Sequence, residues 1–475
     1  MVFSSITFLV YFLPLLILLY VVTPHRLRNP LLLLASILFY SWGAPRFIFV
    51  ILGTTFLDFF LVKSMAASSN AFNRKAIMVL SICMNLGLLF YFKYCNFFIE
   101  NINELLLRFS ISPMPILNVI LPIGISFYTF ESLTYVIDVY RRVHAPLKNF
   151  WNYQLYIILF PKLIAGPIIR YHEIADQITD RHLYDNLDNK IAGLFRFSIG
   201  LAKKVFIANT MAVYADRTFN APAEDIGAVM AWTGMLSYTF QIYFDFSGYS
   251  DMAIGLGRIF GFRFPENFNN PYTSQSITEF WRRWHITLGN WMRNYLYIPL
   301  GGNQVKSKSR LYFNLWFVFL ASGFWHGASW TFIAWGAYHG AFLVMERVFL
   351  NDLYKKIPRA LATGITFFIV AVGWILFRAD TIPHATGLFK ELFNFRIILP
   401  PGYFERQFLV YLFIAFLFSF FTLSKTGLHI QEKVFFSMPG IGAQILFSLA
   451  SGFLIIISTA AVAATDFNPF IYFRF

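Results

Sequence analysis

The feature that most constrains this chain is the recurrence of charge-poor apolar stretches long enough to cross a bilayer. The first, Val2–Val22, holds no charged residue, and about 20 apolar residues span a hydrocarbon core. It lacks the basic start and small-residue cleavage site of a removable signal peptide, so it reads as a retained first helix. Further candidates are Leu31–Gly43, Phe47–Val62, Ile77–Phe98, Ile116–Val139, Ile226–Phe246, Leu311–Trp335, Gly336–Leu350, Leu361–Phe377, Phe408–Leu423 and Ile441–Ala463. Leu31–Gly43 and Phe47–Val62 are short. Tyr153–Ile169 is broken by Pro161 and Pro167 with Lys162 between them, which predicts an irregular or re-entrant element covered by protein or a cavity. Ile191–Ala208 carries Arg196, Lys203 and Lys204 and is a doubtful span. The expectation is an all-α polytopic membrane protein with about ten to twelve transmembrane helices, plus re-entrant and amphipathic interfacial helices. Neither a repeat nor a Pro/Ser-rich linker divides the chain, so residues 1–475 read as a single integral-membrane domain.

Only 13% of the residues are charged, about half the share of a soluble protein. This excludes a soluble enzyme. The 38 basic residues against 24 acidic ones are therefore no sign of nucleic acid; in a membrane protein such an excess marks cytoplasmic loops. The basic loops His25–Asn29, Lys63–Lys75 and Arg141–Lys148 alternate with weakly charged ones, which puts the N-terminus outside. Lys306–Arg310 and Lys355–Arg359 then fall inside. Cys83 and Cys95 lie ~18 Å apart if they share one helix, too far to bridge.

Ser276–Tyr297 reads SITEFWRRWHITLGNWMRNYLY. Phe280, Trp284, Leu288, Trp291 and Tyr295 form one apolar stripe at helical spacing, with Arg282, Arg283, Asn290 and Arg293 off it. Such a helix either lies in the membrane interface or presents its arginines to an anionic substrate. Of nine histidines, six sit in polar flanks. His326 lies inside the Leu311–Trp335 run, beside Gly323, Gly327, Ala328 and Ser329; an ionisable group at membrane depth is costly and a functional candidate. His285 on the amphipathic helix and His339 at the start of the next span are weaker candidates. Asp245 and Asp251 end a span, and Glu131 and Asp138 interrupt another; each is either paired with a nearby base, such as Arg258 for the first two, or part of a reaction centre. No nucleophile elbow, P-loop, HExxH or zinc spacing occurs, so no metal site is expected. An intramembrane histidine without a neighbouring nucleophile suits general-base removal of a hydroxyl proton, with the electrophile arriving activated, for example as a thioester.

Seven segments carry a resemblance: MVFSSITFLVYFLPL at the start, LPIGISFYTF (Leu121–Phe130), FPKLIAGPIIRY (Phe160–Tyr171), Tyr243–Tyr272, Glu279–Gly302, SGFWHGASW (Ser322–Trp330) and NPFIYFRF (Asn468–Phe475). Together they resemble the membrane-bound O-acyltransferase superfamily, and within it the bacterial subunits of alginate O-acetyltransferase type. The resemblance implies a ring-like helical bundle with a central tunnel in the bacterial cytoplasmic (inner) membrane, with a periplasmic N-terminus. It matches the family's invariant histidine to His326 and a second polar position to His285. It implies acetyl transfer from a cytoplasmic thioester donor, acetyl-CoA, with no bound cofactor, outward to an exported polysaccharide such as alginate, helped by a periplasmic SGNH-type acetyltransferase. On that reading His326 is the general base or positions the thioester, and His285 binds, orients or shares the proton. Arg282, Arg283 and Arg293, with Trp325 and Asn294, contact substrate; Lys306, Lys308 and Arg310 add to the field. Acyl or D-alanyl transfer to another envelope polymer, protein or lipid is the alternative within the family, and a small-molecule transporter the alternative outside it.

Overall fold

The computed structural model describes residues 1–222, 225–394, 396–399, 401–436, 440–464 and 470–471. All regular elements are helical, and no strand occurs among the described residues. Five helices are long and apolar enough to cross a membrane: Ile48–Ala67, Ala71–Arg108, Arg359–Arg378, Arg406–Leu423 and Ile441–Ala464. The last two are only 22% and 17% buried, and residues such as Phe413, Phe416, Leu449 and Phe453 face outward. A large apolar side chain on a helix surface is stable where lipid solvates it. The chain is an all-helical, multi-pass membrane protein.

The remaining expected spans are shorter or broken. The first helix is Thr7–Val22. Of Ile116–Val139 only the part from Ile125 is helical, in Ile125–Tyr140. Pro113, Pro115 and Pro122 lack the N–H that would extend it backwards, and Gly124 starts it at φ +78°, where a Cβ would meet the Leu163 carbonyl oxygen at 2.6 Å. Leu311–Trp335 is two elements. The helix Lys308–His326 stops at an extended Gly327, and a second helix runs from Trp330 to Met345. His339 therefore lies well inside a helix, not at the start of a span.

The chain forms two compact units, Met1–Lys190 with Leu256–Phe264, and Ile191–Gly255 with Pro265–Phe475. In the first, the expected re-entrant stretch is realised as short helices, Phe150–Ile158 and Phe160–Leu163, followed by irregular chain, all of it buried from Tyr153 to Ile169. Lys162 inside it pairs with Glu131, whose other oxygen accepts the Ile169 N–H at 3.4 Å. Asp138 meets His172 Nδ1 at 2.8 Å. Glu131 holds the irregular segment to the Ile125–Tyr140 helix, and Asp138 holds the helix Tyr171–Thr179 that follows it.

In the second unit, the doubtful span Ile191–Ala208 is helical throughout and buries Arg196, Phe197, Leu201 and Lys204. Its cations meet acids on or beyond the long helix Ala228–Ile259. Arg196 pairs with Asp251 at 2.8 Å and Glu266 at 2.5 Å, Lys203 with Asp251 at 2.6 Å, and Lys204 with Asp245 at 2.5 Å. The two acids thus pair with Arg196, Lys203 and Lys204. The C-terminal motif Asn468–Phe475 lies outside the described residues except Phe470 and Ile471; the Ile471 N–H donates to Asp245 at 2.7 Å.

Candidate active site

The expected amphipathic helix over Ser276–Tyr297 is broken at His285. Ile277–Arg283 is one helix and Ile286–Trp291 the next, with His285 between them in the left-handed region, φ 45° and ψ 52°. The first is fixed at its start. Ser276 caps the Glu279 N–H, and the buried Glu346 carboxylate accepts from the Ile277 and Thr278 N–H groups and from the Thr278 hydroxyl. A carboxylate at a helix N-terminus satisfies orphan donors and meets the positive end of the dipole. Phe280, Trp284, Leu288 and Trp291 are buried in protein, so the stripe packs into the core instead of floating on a membrane surface.

At the break, the Ile286 N–H donates to the Asn267 carbonyl at 2.9 Å. The Asn267 side chain reaches His285: its Oδ1 lies 3.1 Å from His285 Nδ1 and accepts the Thr287 hydroxyl at 2.9 Å and the Thr287 backbone N–H at 3.3 Å. A backbone N–H only donates, so the amide oxygen must face this way. An imidazole nitrogen meeting that oxygen must then carry its proton, leaving the lone pair of neutral His285 on Nε2. The Asn267 amide nitrogen is held by Ser250 Oγ at 3.0 Å. Nothing in the sequence singled out Asn267, Thr287 or Ser250, because the contact joins residues 18 and 20 positions apart across an irregular loop.

His326 is the last residue of its helix and is buried. Its ring is bounded by Trp325, Phe377 and Trp335 at centroid distances of 4.9, 5.2 and 5.3 Å, and lies 6.5 Å from the His285 ring. The helix Lys308–His326 is locked against Trp330–Met345 by small residues. A Cβ on Gly323 would stand 3.0 Å from the Gly336 Cα, so the backbones cross at a distance only glycine allows.

His285 and His326 line one cavity of about 440 Å³. Arg282 and Arg293 line it too, together with Arg347, Ser322 and Asn303. Arg347 lay in a segment read as a plain span, and only the fold carries it here. None of these arginines makes an ion pair among the described residues, and no Asp or Glu lines the cavity. Three guanidinium groups around a space lined by no carboxylate favour an anionic ligand, although the charge of the nearby Glu346 reaches Arg282. Arg283 does not belong to it: it pairs with Glu279 at 2.5 Å and donates to Thr273 at 2.9 Å. Trp325 packs on His326 without lining the cavity, and Asn294 does not line it either. Lys306, Lys308 and Arg310 are not lining residues. Asp245 and Asp251 are engaged in the ion pairs described above; Asp251 lines a separate cavity of about 540 Å³. His339 is fully buried among Trp281, Trp335 and Tyr338 and does not line the cavity, so it is a packing residue.

The membrane-bound O-acyltransferase family matches residues 103–358, a stretch that contains both histidines and all three cavity arginines. The chain is 45% identical over 396 residues to the probable alginate O-acetylase AlgI of Pseudomonas aeruginosa, covering 83% of this chain and 75% of that protein. It is 39% identical over 426 residues to the peptidoglycan O-acetyltransferase of Helicobacter pylori, covering 82% of this chain and 80% of the relative. The teichoic acid D-alanyltransferase of Bacillus subtilis is 29% identical over 285 residues, 56% of this chain and 71% of its own. The chain is an acyltransferase that belongs to the membrane-bound O-acyltransferase family.

Proposed function

We propose that the protein transfers an acetyl group from a cytoplasmic thioester, acetyl-CoA, for O-acetylation of an exported polysaccharide such as alginate. The observation that carries this is the convergence of His326, His285, Arg282, Arg293 and Arg347 on one acid-free cavity. The phosphates of the donor pair with the arginines while the thioester carbonyl lies by the histidines. His326 removes the proton of the acceptor hydroxyl. The oxygen forms its bond to the carbonyl carbon, the carbon–sulfur bond breaks, and the departing thiolate takes up the proton. A cation forming on His326 faces the carbonyl end of its own helix, where positive charge is favoured. His285, with its proton fixed on Nδ1, offers Nε2 as an acceptor that orients the hydroxyl. The names of the relatives support a carbohydrate as final acceptor: at the periplasmic side an SGNH-type acetyltransferase in the inner-membrane system moves the acetyl group from the ester formed at His326 to a sugar hydroxyl, and the first hydroxyl is regenerated. This reading puts the N-terminus in the periplasm.

Purified protein given labelled acetyl-CoA tests this. His326→Ala is expected to lower label transfer and CoA release by roughly 10²–10⁴-fold, the usual range for a lost general base. Arg282→Ala, Arg293→Ala and Arg347→Ala are each expected to raise KM for acetyl-CoA more than they lower kcat, with Arg283→Ala leaving KM unchanged. Equal activity of wild type and His326→Ala removes His326 from the reaction; absence of CoA release from wild type removes the proposed donor.

A further inference from the structure

The first compact unit holds a cavity of about 600 Å³, lined by neither His285 nor His326, that the acyl-transfer reading does not use. Its lining changes character along the helix His25–Gly43. One end presents Arg26, Arg28, Asn29 and Arg181; the other, one to two turns further on, presents Leu33, Leu34 and Ile37. Leu34 is exposed at 56%, and Trp151, which also lines the cavity, at 61%. Exposed leucine marks a lipid-facing surface, and an exposed tryptophan next to cations is typical of the headgroup level.

The cations are arranged to leave positive charge over. Asp185 lies between Arg28 and Lys190, pairing with both, and accepts from Tyr20 at 2.9 Å. Arg26 makes no ion pair among the described residues. Arg181 meets only neutral groups: its Nη1 donates to Asn29 at 2.5 Å and its Nε to the Phe260 carbonyl at 3.0 Å, while its buried Nη2 has no hydrogen-bond partner among the described residues. A buried guanidinium N–H without an acceptor is costly and marks a place where an anionic oxygen belongs. Asp180, the other acid of the lining, is turned to solvent and caps the His182 N–H at 3.0 Å.

We propose that this cavity seats an anionic phospholipid, its phosphodiester among Arg26, Arg28 and Arg181 and an acyl chain along Leu33, Leu34 and Ile37. Basic pockets between membrane helices bind such headgroups at the cytoplasmic leaflet, the side that the basic start of the helix, His25–Asn29, marks by charge. The cation end alone accepts any phosphate; the apolar end selects one that carries an aliphatic chain.

The test uses delipidated full-length protein in a neutral detergent, with phosphatidylglycerol, phosphatidylcholine or inorganic phosphate added and Tm recorded. A ligand that binds only the folded state raises Tm. Phosphatidylglycerol is expected to raise it by roughly 3 °C or more, phosphatidylcholine and inorganic phosphate by much less. Arg181→Gln and Arg26→Gln are each expected to abolish most of the rise. Arg26 is exposed, so its variant keeps the fold even if Arg181→Gln does not. An equal rise with phosphatidylcholine, or an undiminished rise in Arg26→Gln, overturns the proposal. A rise reproduced by inorganic phosphate alone overturns the lipid as occupant.

Discussion

His285 and His326 differ in how they are held. His326 is boxed by rings, whereas His285 meets the side chain of Asn267. That contact fixes the tautomer, and the charge of its acceptor is adjustable. Asn267→Asp keeps an acceptor for His285 and Thr287 but places a carboxylate against the imidazole. A neighbouring opposite charge raises a histidine pKa by about 1–3 units, so the acid limb of the kcat–pH profile is expected to move up by that amount. Asn267→Leu removes the contact and is expected to lower kcat at every pH with no such shift. A purely structural role for Asn267 leaves the limb in place in both variants. At this scale the sequence was informative where chemistry is rare and silent where it is common. A histidine inside an apolar run stands out on cost alone, and so His326 was legible. Asparagines are ordinary in loops, and Arg347 sat in a run whose average character was apolar; neither carried a local signal.

Helical elements were legible from apolar length, but their interruptions were not. Hydrophobic periodicity runs unbroken through Trp284–His285 and through His326–Gly327, because each break is made by tertiary hydrogen bonds and backbone crossings rather than by proline. The buried ionisable residues made Ile191–Ala208 a doubtful span, and it is not among the five helices long and apolar enough to cross a membrane; what the sequence did not show is that Arg196, Lys203 and Lys204 are buried in pairs with Asp251, Glu266 and Asp245, which offsets the cost of burying them. The same logic governs Lys162 and Glu131. Breaking a buried pair strands the remaining charge, at about 3–5 kcal/mol, whereas replacing both partners by apolar residues is far cheaper. Lys162→Met is therefore expected to lower the Tm of the detergent-solubilised protein markedly, and Lys162→Met with Glu131→Met to recover most of the loss. A double variant no more stable than the single one contradicts this account of how the irregular 159–170 segment is held.

For the molecule as a whole, the low charged fraction follows from where the charges go. Among the described residues, many acids pair with cations inside each unit, others such as Glu346 and Asp58 accept from neutral donors, and none lines the His285–His326 cavity. Asp185 shows what this means for stability outside the membrane. Burial raises its carboxyl, but the hydrogen bonds from Lys190 and Tyr20 and the charges of Lys190 and Arg28 outweigh that and hold it below the ordinary carboxylate range. A depressed folded-state pKa gives stability that is present above the unfolded value, about 4, and is lost as pH falls through the folded value. The Tm advantage of wild type over Asp185→Asn is expected to be constant from pH 7 to about 5 and to shrink below about 4. An advantage independent of pH down to 3 contradicts the pairing.

The crossing at Gly323 and Gly336 has an implication for how the molecule tolerates length changes. Two helices seated glycine to glycine cannot slide by fractions of a turn, so the azimuth of His326 is set by counting residues from that contact. One residue inserted between Gly323 and His326 swings the imidazole by about 100° and is expected to abolish transfer. The same insertion in the exposed segment before Lys308 is absorbed as slack, leaving the ring where it was. The active site is in this sense phased like a screw thread, with its zero mark at a pair of glycines.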